Sequence, residues 1–174
     1  TTQTMKRSGR SLKQRLKDIS YLPSYLSRAR HFRGHGVHSP FVYDVVRHVF
    51  MSKRLYNAKS ELYTILLKYG IAERRCMQLA NLATHCKYDS WCVDCKEERQ
   101  LIIATLNTRY PELESYAAYA REHGATLCIM TPYNNHERWE VCHRIIDAHP
   151  STTVDNRAYL LIFNNHLPKQ RFTL

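Results

Sequence analysis

Apolar positions recur at near-helical spacing in the first half of the chain and as short unbroken runs in the second, and the change falls near Trp91. Ahead of it, Phe41, Val42, Val45, Val46, Val49 and Phe50 mark one face of a helix. Ser39 can cap that helix and Pro40 can open it, because the missing N–H of a first-turn proline costs no hydrogen bond. Ser60 caps a second helix with Leu62, Ile65, Leu66 and Tyr69 as its stripe, and Gly70 ends it. A third helix is predicted over 72–84, with Met77, Leu79, Ala80, Leu82 and Ala83 toward the core. Upstream, Leu12, Leu16 and Ile19 predict a short amphipathic helix from Ser11 that Pro23 breaks.

From Trp91 the period changes. Runs at Ser90–Val93, Leu101–Leu106, Thr126–Thr131 and Tyr159–Phe163, with a weaker one near Thr152, read as strands, although "EERQLIIATLN" around Leu101 would also suit a helix. Pro111 opens an intervening helix through Leu113, Tyr116, Ala117 and Ala120 that Gly124 closes. Asn134 with Glu137 reads as a capping box for the next, whose face is Trp139, Cys142, Ile145 and Ile146 before Pro150 stops it. Short apolar runs alternating with capped helices are the signature of a parallel sheet covered by helices. The expected organisation is a basic arm over residues 1–38 and one α/β domain over 39–174, with helices at 39–84 and the sheet-forming part at 88–174.

Charge sharpens this division. Residues 1–75 carry 16 Lys and Arg against 4 Asp and Glu, a net +12, whereas the remainder carries 10 against 11. Such asymmetry predicts an anionic partner, RNA or another polyanion, held through residues 1–33, or else a solvated basic face. Tyr21, Tyr25 and Phe32 interleave with Arg28, Arg30 and Arg33, which suits stacking on bases as well as packing on the domain. Six cysteines without an apolar signal segment point to a reducing compartment, and the expected location is the cytoplasm. No run reaches the roughly 18 apolar residues of a membrane span.

Two blocks carry a resemblance. The run "RGHGVHSPFVYDVVRHVF" resembles the N-terminal HGxHSPF signature of a family of small bacterial class I methyltransferase-like proteins, which use S-adenosylmethionine on a Rossmann-like sheet. The stretch "HGATLCIMTPYNNHERWEVCHRIIDAHPSTTVDNRAYLLIF", followed by "LPKQRFTL", looks like the late strand, amphipathic helix, "AHP" turn and final antiparallel strand pair that close that family's sheet. The resemblance implies a Rossmann-like, mostly parallel sheet preceded by helices, and methyl transfer in which the protein chiefly positions donor and acceptor. From their place in the signature, His35, His38 and Ser39 become candidates near the methyl acceptor. Asn134 and Asn135, at the carboxyl edge of a strand, become candidate ligand contacts.

The middle of the chain departs from this pattern. A class I methyltransferase brings a glycine-rich turn against the cofactor, where a Cβ would obstruct the backbone's approach. Here no glycine occurs between Gly70 and Gly124, and Asp94 is the one counterpart of the acid that holds the ribose hydroxyls. A shortened member with degenerate or lost cofactor binding is the expectation. Two rival chemistries sit in the same region. Trp91-Cys92-Val93-Asp94-Cys95-Lys96 has the thioredoxin-like spacing in which a helix N-terminus activates one thiol. His85, Cys86, Cys92 and Cys95 could together supply four zinc ligands. Asn164, Asn165 and His166 read as a turn.

Overall fold

The structure, a computed structural model, describes residues 39–174. The arm of residues 1–38, its predicted helix through Leu12, Leu16 and Ile19, and the candidates His35 and His38 lie outside the described residues.

Ser39 caps α1 (Pro40–Val45) as its side chain predicts, with Oγ accepting from the Val42 amide at 3.4 Å. The helix passes directly into a π turn over Val46–Phe50, closed by Met51 N–H to Val46 O at 3.0 Å. The wider turn leaves Val45, Val46, Val49 and Phe50 all buried. α2 (Glu61–Lys68) starts on the Ser60 cap and ends at Gly70, whose φ of +74° is the left-handed conformation that glycine adopts without strain. α3 spans Glu73–His85.

Six strands follow: β1 (Trp91–Val93), β2 (Leu101–Ala104), β3 (Thr126–Met130), β4 (Thr152–Asp155), β5 (Tyr159–Ile162) and β6 (Gln170–Thr173). A short 3₁₀ turn over Tyr110–Glu112 leads into α4 (Leu113–Glu122), and α5 spans His136–Ala148. The strands form one mixed sheet in the order β1-β2-β3-β5-β4-β6. β1, β2 and β3 are parallel neighbours, β5 runs antiparallel between β3 and β4, and β6 lies parallel to β4 at the far edge.

Both faces of the sheet are covered, which explains why its strands read as unbroken apolar runs rather than alternating ones. Leu101, Ile103, Cys128, Met130, Tyr159 and Leu161 pack with α1, α2 and α3. Their strand neighbours Ile102, Ala104, Leu127, Ile129, Leu160 and Ile162 pack with α4 and α5. The ambiguous segment at Leu101 is therefore a strand whose residues serve two cores in turn.

Three features of the sheet go beyond the sequence reading. The sheet is mixed, because the Tyr159–Ile162 run returns antiparallel between two strands that precede it. β6 was not legible as a strand by itself, having one apolar residue, Phe172, among polar ones. Between β1 and β2 there is no helix. Asp94–Gln100 turns the chain back in seven residues, whereas a parallel connection ordinarily takes a dozen or more and a helix. Gln100 closes this short return: its Oε1 accepts from the amides of Asp89 (2.6 Å) and Ser90 (3.3 Å).

The "AHP" turn has a structural task. His149 is buried after α5, and its Nε2 donates to the Phe163 carbonyl at 2.7 Å, tying the helix end to the end of β5. Burial holds its pKa below the ordinary histidine value. Folded His149 therefore stays neutral while the unfolded chain takes up a proton near pH 6.5, so its contribution is complete above that pH and declines as pH falls through it. The stability lost between pH 7.5 and 5.5, read from denaturant unfolding, should be smaller in His149→Gln, whose amide can still donate to Phe163. An unchanged loss would remove His149 as the cause.

Candidate functional site

The carboxyl ends of β1, β2 and β3 meet at one edge of the sheet, the place where open α/β sheets take ligands. Asp94 sits there directly after β1, in the left-handed region at φ +54°. Its carboxylate accepts from Thr105 N–H (2.6 Å), Thr105 Oγ1 (2.5 Å), Thr108 Oγ1 (2.6 Å) and, more distantly, Asn107 Nδ2 (3.4 Å). The whole bonding set comes from the loop that follows β2.

The opposite side of the same loop is held by Arg138, a residue that sequence reasoning did not single out. Its side chain is 3% exposed. Nη1 donates to Thr108 O at 2.9 Å, and Nη2 donates to Thr105 O at 2.9 Å and Met130 O at 3.1 Å, while Nε is buried without a partner. Burial lowers the guanidinium's pKa, yet arginine keeps its proton in proteins. A cation at strand carboxyl ends complements carbonyl oxygens that have no ladder partner. Thr105 and Thr108 thus give their donors to Asp94 and their carbonyls to Arg138. A signal for Arg138 existed: it shares the helical stripe of Cys142, Ile145 and Ile146, all buried.

The remaining candidates take local roles. The N-cap of α5 is Asn135, whose Oδ1 accepts from Arg138 N–H at 2.8 Å, one residue later than the capping box expected from Asn134 and Glu137. Asn134 is exposed, and its amide donates to Thr131 O at 3.1 Å. Thr131 has φ +47°, an uncommon conformation for a β-branched residue, at the carboxyl end of β3. Tyr133 stacks on Trp139 with ring centroids 4.3 Å apart, and its hydroxyl donates to the Asp155 carboxylate. Ser39 is buried, with its hydroxyl engaged as a cap. His166 is exposed in the turn expected of it, at φ +59°.

The cysteine pair does not form a thioredoxin-like arrangement. No helix follows Cys92, so no helix N-terminus is present to lower a thiol pKa. Cys92 Sγ donates to Cys95 O at 3.1 Å, and burial, followed by the hydrogen bond from Cys95 to Cys92, pushes the Cys95 thiol up to about 12. Nor do the four candidate zinc ligands converge. Cys86 packs against the core shared with α1–α3, while Cys92 and Cys95 belong to the core on the other face of the sheet. His85 Nε2 is 2.7 Å from Asp44 Oδ2 instead. Among the described residues no group of three or more His, Cys, Asp or Glu has metal-holding geometry, and no helix is long and apolar enough to cross a membrane.

Residues at the end of β1 do not fit S-adenosylmethionine. Neither a glycine nor a helix N-terminus follows the strand, and the chain's own threonines donate to both oxygens of Asp94. What the fold and the site define is an α/β domain whose carboxyl edge at β1–β3 is bridged by its own side chains. Compared with known proteins, the chain matches no family profile, no curated protein and no solved structure.

Proposed function

We propose that this protein is a Rossmann-like, class I methyltransferase-like domain in which S-adenosylmethionine binding has been lost, and that it serves as a binding module for a polyanion through its basic N-terminal part. The observation that carries the first half is the seven-residue return from β1 to β2, which leaves neither bare backbone nor helix amides where a nucleoside cofactor would lie. The order β3, α5, the turn at His149, then the antiparallel β4–β5 pair supports the kinship, since it is the order that the resemblance implies. Titration calorimetry with S-adenosylmethionine and S-adenosylhomocysteine at up to millimolar ligand should give no binding heat. Stoichiometric binding in the micromolar range would overturn the loss.

The polyanion half is supported by where the charge lies, with a net +12 in the first 75 residues and near neutrality after them. It predicts affinity for RNA or heparin that drops steeply with salt as counterions are released. Removing residues 1–33 should weaken that affinity markedly. Undiminished binding by the truncated chain would dismiss the arm as the contact.

A further inference from the structure

Three side chains about a turn apart on α3 set the outer contour of the helical layer. Gln78 Nε2 donates to Phe50 O at 3.0 Å. Asn81 Nδ2 donates to Arg54 O at 2.8 Å while its Oδ1 accepts from Tyr56 N–H at 2.9 Å. His85 reaches Asp44 on α1. Gln78 and Asn81 are buried, so the loop after α1 is fastened lengthwise along α3 rather than standing away from it. From Gln78 to His85 that strip runs about 10 Å, at about 1.5 Å per residue.

Charge on this layer is unlike that on the opposite one. Arg47, Lys53, Arg54, Lys59, Lys68 and Arg74 are all exposed, and none has a carboxylate within ion-pair distance among the described residues. Those six cations outnumber the layer's exposed acids, Asp44, Glu61 and Glu73, whereas on the α4–α5 side Arg109, Arg144 and Arg171 pair with Glu112, Glu114 and Asp147 and, of the arginines on α4 and α5, Arg121 is the one exposed without an acid among the described residues. Unpaired cations on one surface sum to a field that attracts polyanions, whereas paired ones largely cancel. Tyr43, Tyr56 and Tyr69 stand in the same layer, 43%, 46% and 44% exposed. The Tyr56 hydroxyl donates to His48 O, which holds its ring in place.

We propose that the outer surface of the α1–α3 layer docks single-stranded nucleic acid, with phosphates on these cations and bases stacked on the exposed tyrosines. This rests on the polyanion-binding reading above and extends it from the arm to the folded domain. Interleaved cations and aromatic faces are what sequence-tolerant strand binding requires. A lipid surface calls for a broad apolar face, and Leu67 is the one large aliphatic residue exposed on this layer among the described residues.

The test uses the full chain, a labelled oligouridylate of about 12 nucleotides, a length within the range of known strand-binding sites, and heparin, which has charge but no bases. Anisotropy is read over a series of salt concentrations. The triple variant Lys53→Glu, Arg54→Glu, Arg74→Glu should bind the oligonucleotide at least tenfold more weakly, and the log–log salt slope should flatten by about 2, near 0.7 per lost phosphate contact on a single strand. Tyr43→Ala with Tyr69→Ala should lose about tenfold on the oligonucleotide, as stacking worth about 1.4 kcal/mol implies, and nothing on heparin. Circular dichroism and thermal unfolding confirm that both variants fold.

Wild-type affinity in the triple variant overturns the proposal. So does equal loss on both ligands in the tyrosine variant, or tighter binding to anionic vesicles than to the oligonucleotide. Should deletion of residues 1–33 abolish binding while the triple variant binds normally, the arm alone is the contact: the surface inference fails and the polyanion reading stands. Absence of binding to both probes at low salt ends both.

Discussion

Arg138→Ala is expected to destabilise the domain by about 4 kcal/mol, since it strands buried carbonyls that each cost about 1–3 kcal/mol when left unpaired. Those carbonyls are Thr105 O, Thr108 O and Met130 O, and they belong to two strand ends and the loop between β2 and α4. Water cannot readily take the guanidinium's place at a site 3% exposed. Arg138→Lys keeps the charge but replaces a planar fork with a single ammonium, so about half of the loss should remain. Denaturant unfolding of both variants measures this. A cost below about 1 kcal/mol for the alanine variant would mean that the carbonyls find other partners and that the edge is not organised by Arg138.

Asp94→Ala comes next, at about 3 kcal/mol, because it leaves Thr105 N–H and the hydroxyls of Thr105 and Thr108 without their acceptor. Part of that figure, about 1 kcal/mol, is backbone strain: φ at residue 94 is +54°, which alanine tolerates poorly. Asp94→Gly removes the acceptor but not the conformational freedom, and should fall about that much short of the alanine cost. Asp94→Asn should cost least, as asparagine accepts left-handed geometry and retains one oxygen. Since Asp94 and Arg138 grip the same threonines from opposite sides, Asp94→Asn combined with Arg138→Lys should be non-additive by more than about 0.5 kcal/mol. Additive losses would show two independent contacts instead of one braced loop.

If the loop is braced in this way, the carboxyl edge is rigid without a bound ligand. Here the Asp94 carboxylate and the Arg138 guanidinium are both turned on the protein's own backbone and hydroxyls. Asp94 and Arg138 therefore both brace the domain's own loop between β2 and α4.

Local chemistry carried much of the fold into the sequence. The Ser39 and Ser60 caps, the stops at Gly70 and Gly124, and the apolar stripes of α2, α4 and α5 are visible within a few residues of themselves, because capping and helical period need only neighbours three or four positions away. Strands at Leu101, Thr126 and Tyr159 were equally visible as apolar runs bounded by polar residues. The sequence points to Asn134 and the structure uses Asn135 as the cap, since adjacent asparagines are equivalent until the backbone selects which one is extended.

Tertiary structure alone decided the rest. Only the packed sheet places β5 between β3 and β4 and brings β6 alongside β4. Only the two-faced sheet separates Cys86 from Cys92 and Cys95, a separation that the short spacing in sequence does not reveal. Arg138 looks like an ordinary surface cation in the first turn of a helix until Thr105 and Thr108, some thirty positions earlier, supply its carbonyl partners. Periodicity records which side of an element is buried. What it is buried against depends on which elements become neighbours, and that is settled by the free energy of the whole packed domain.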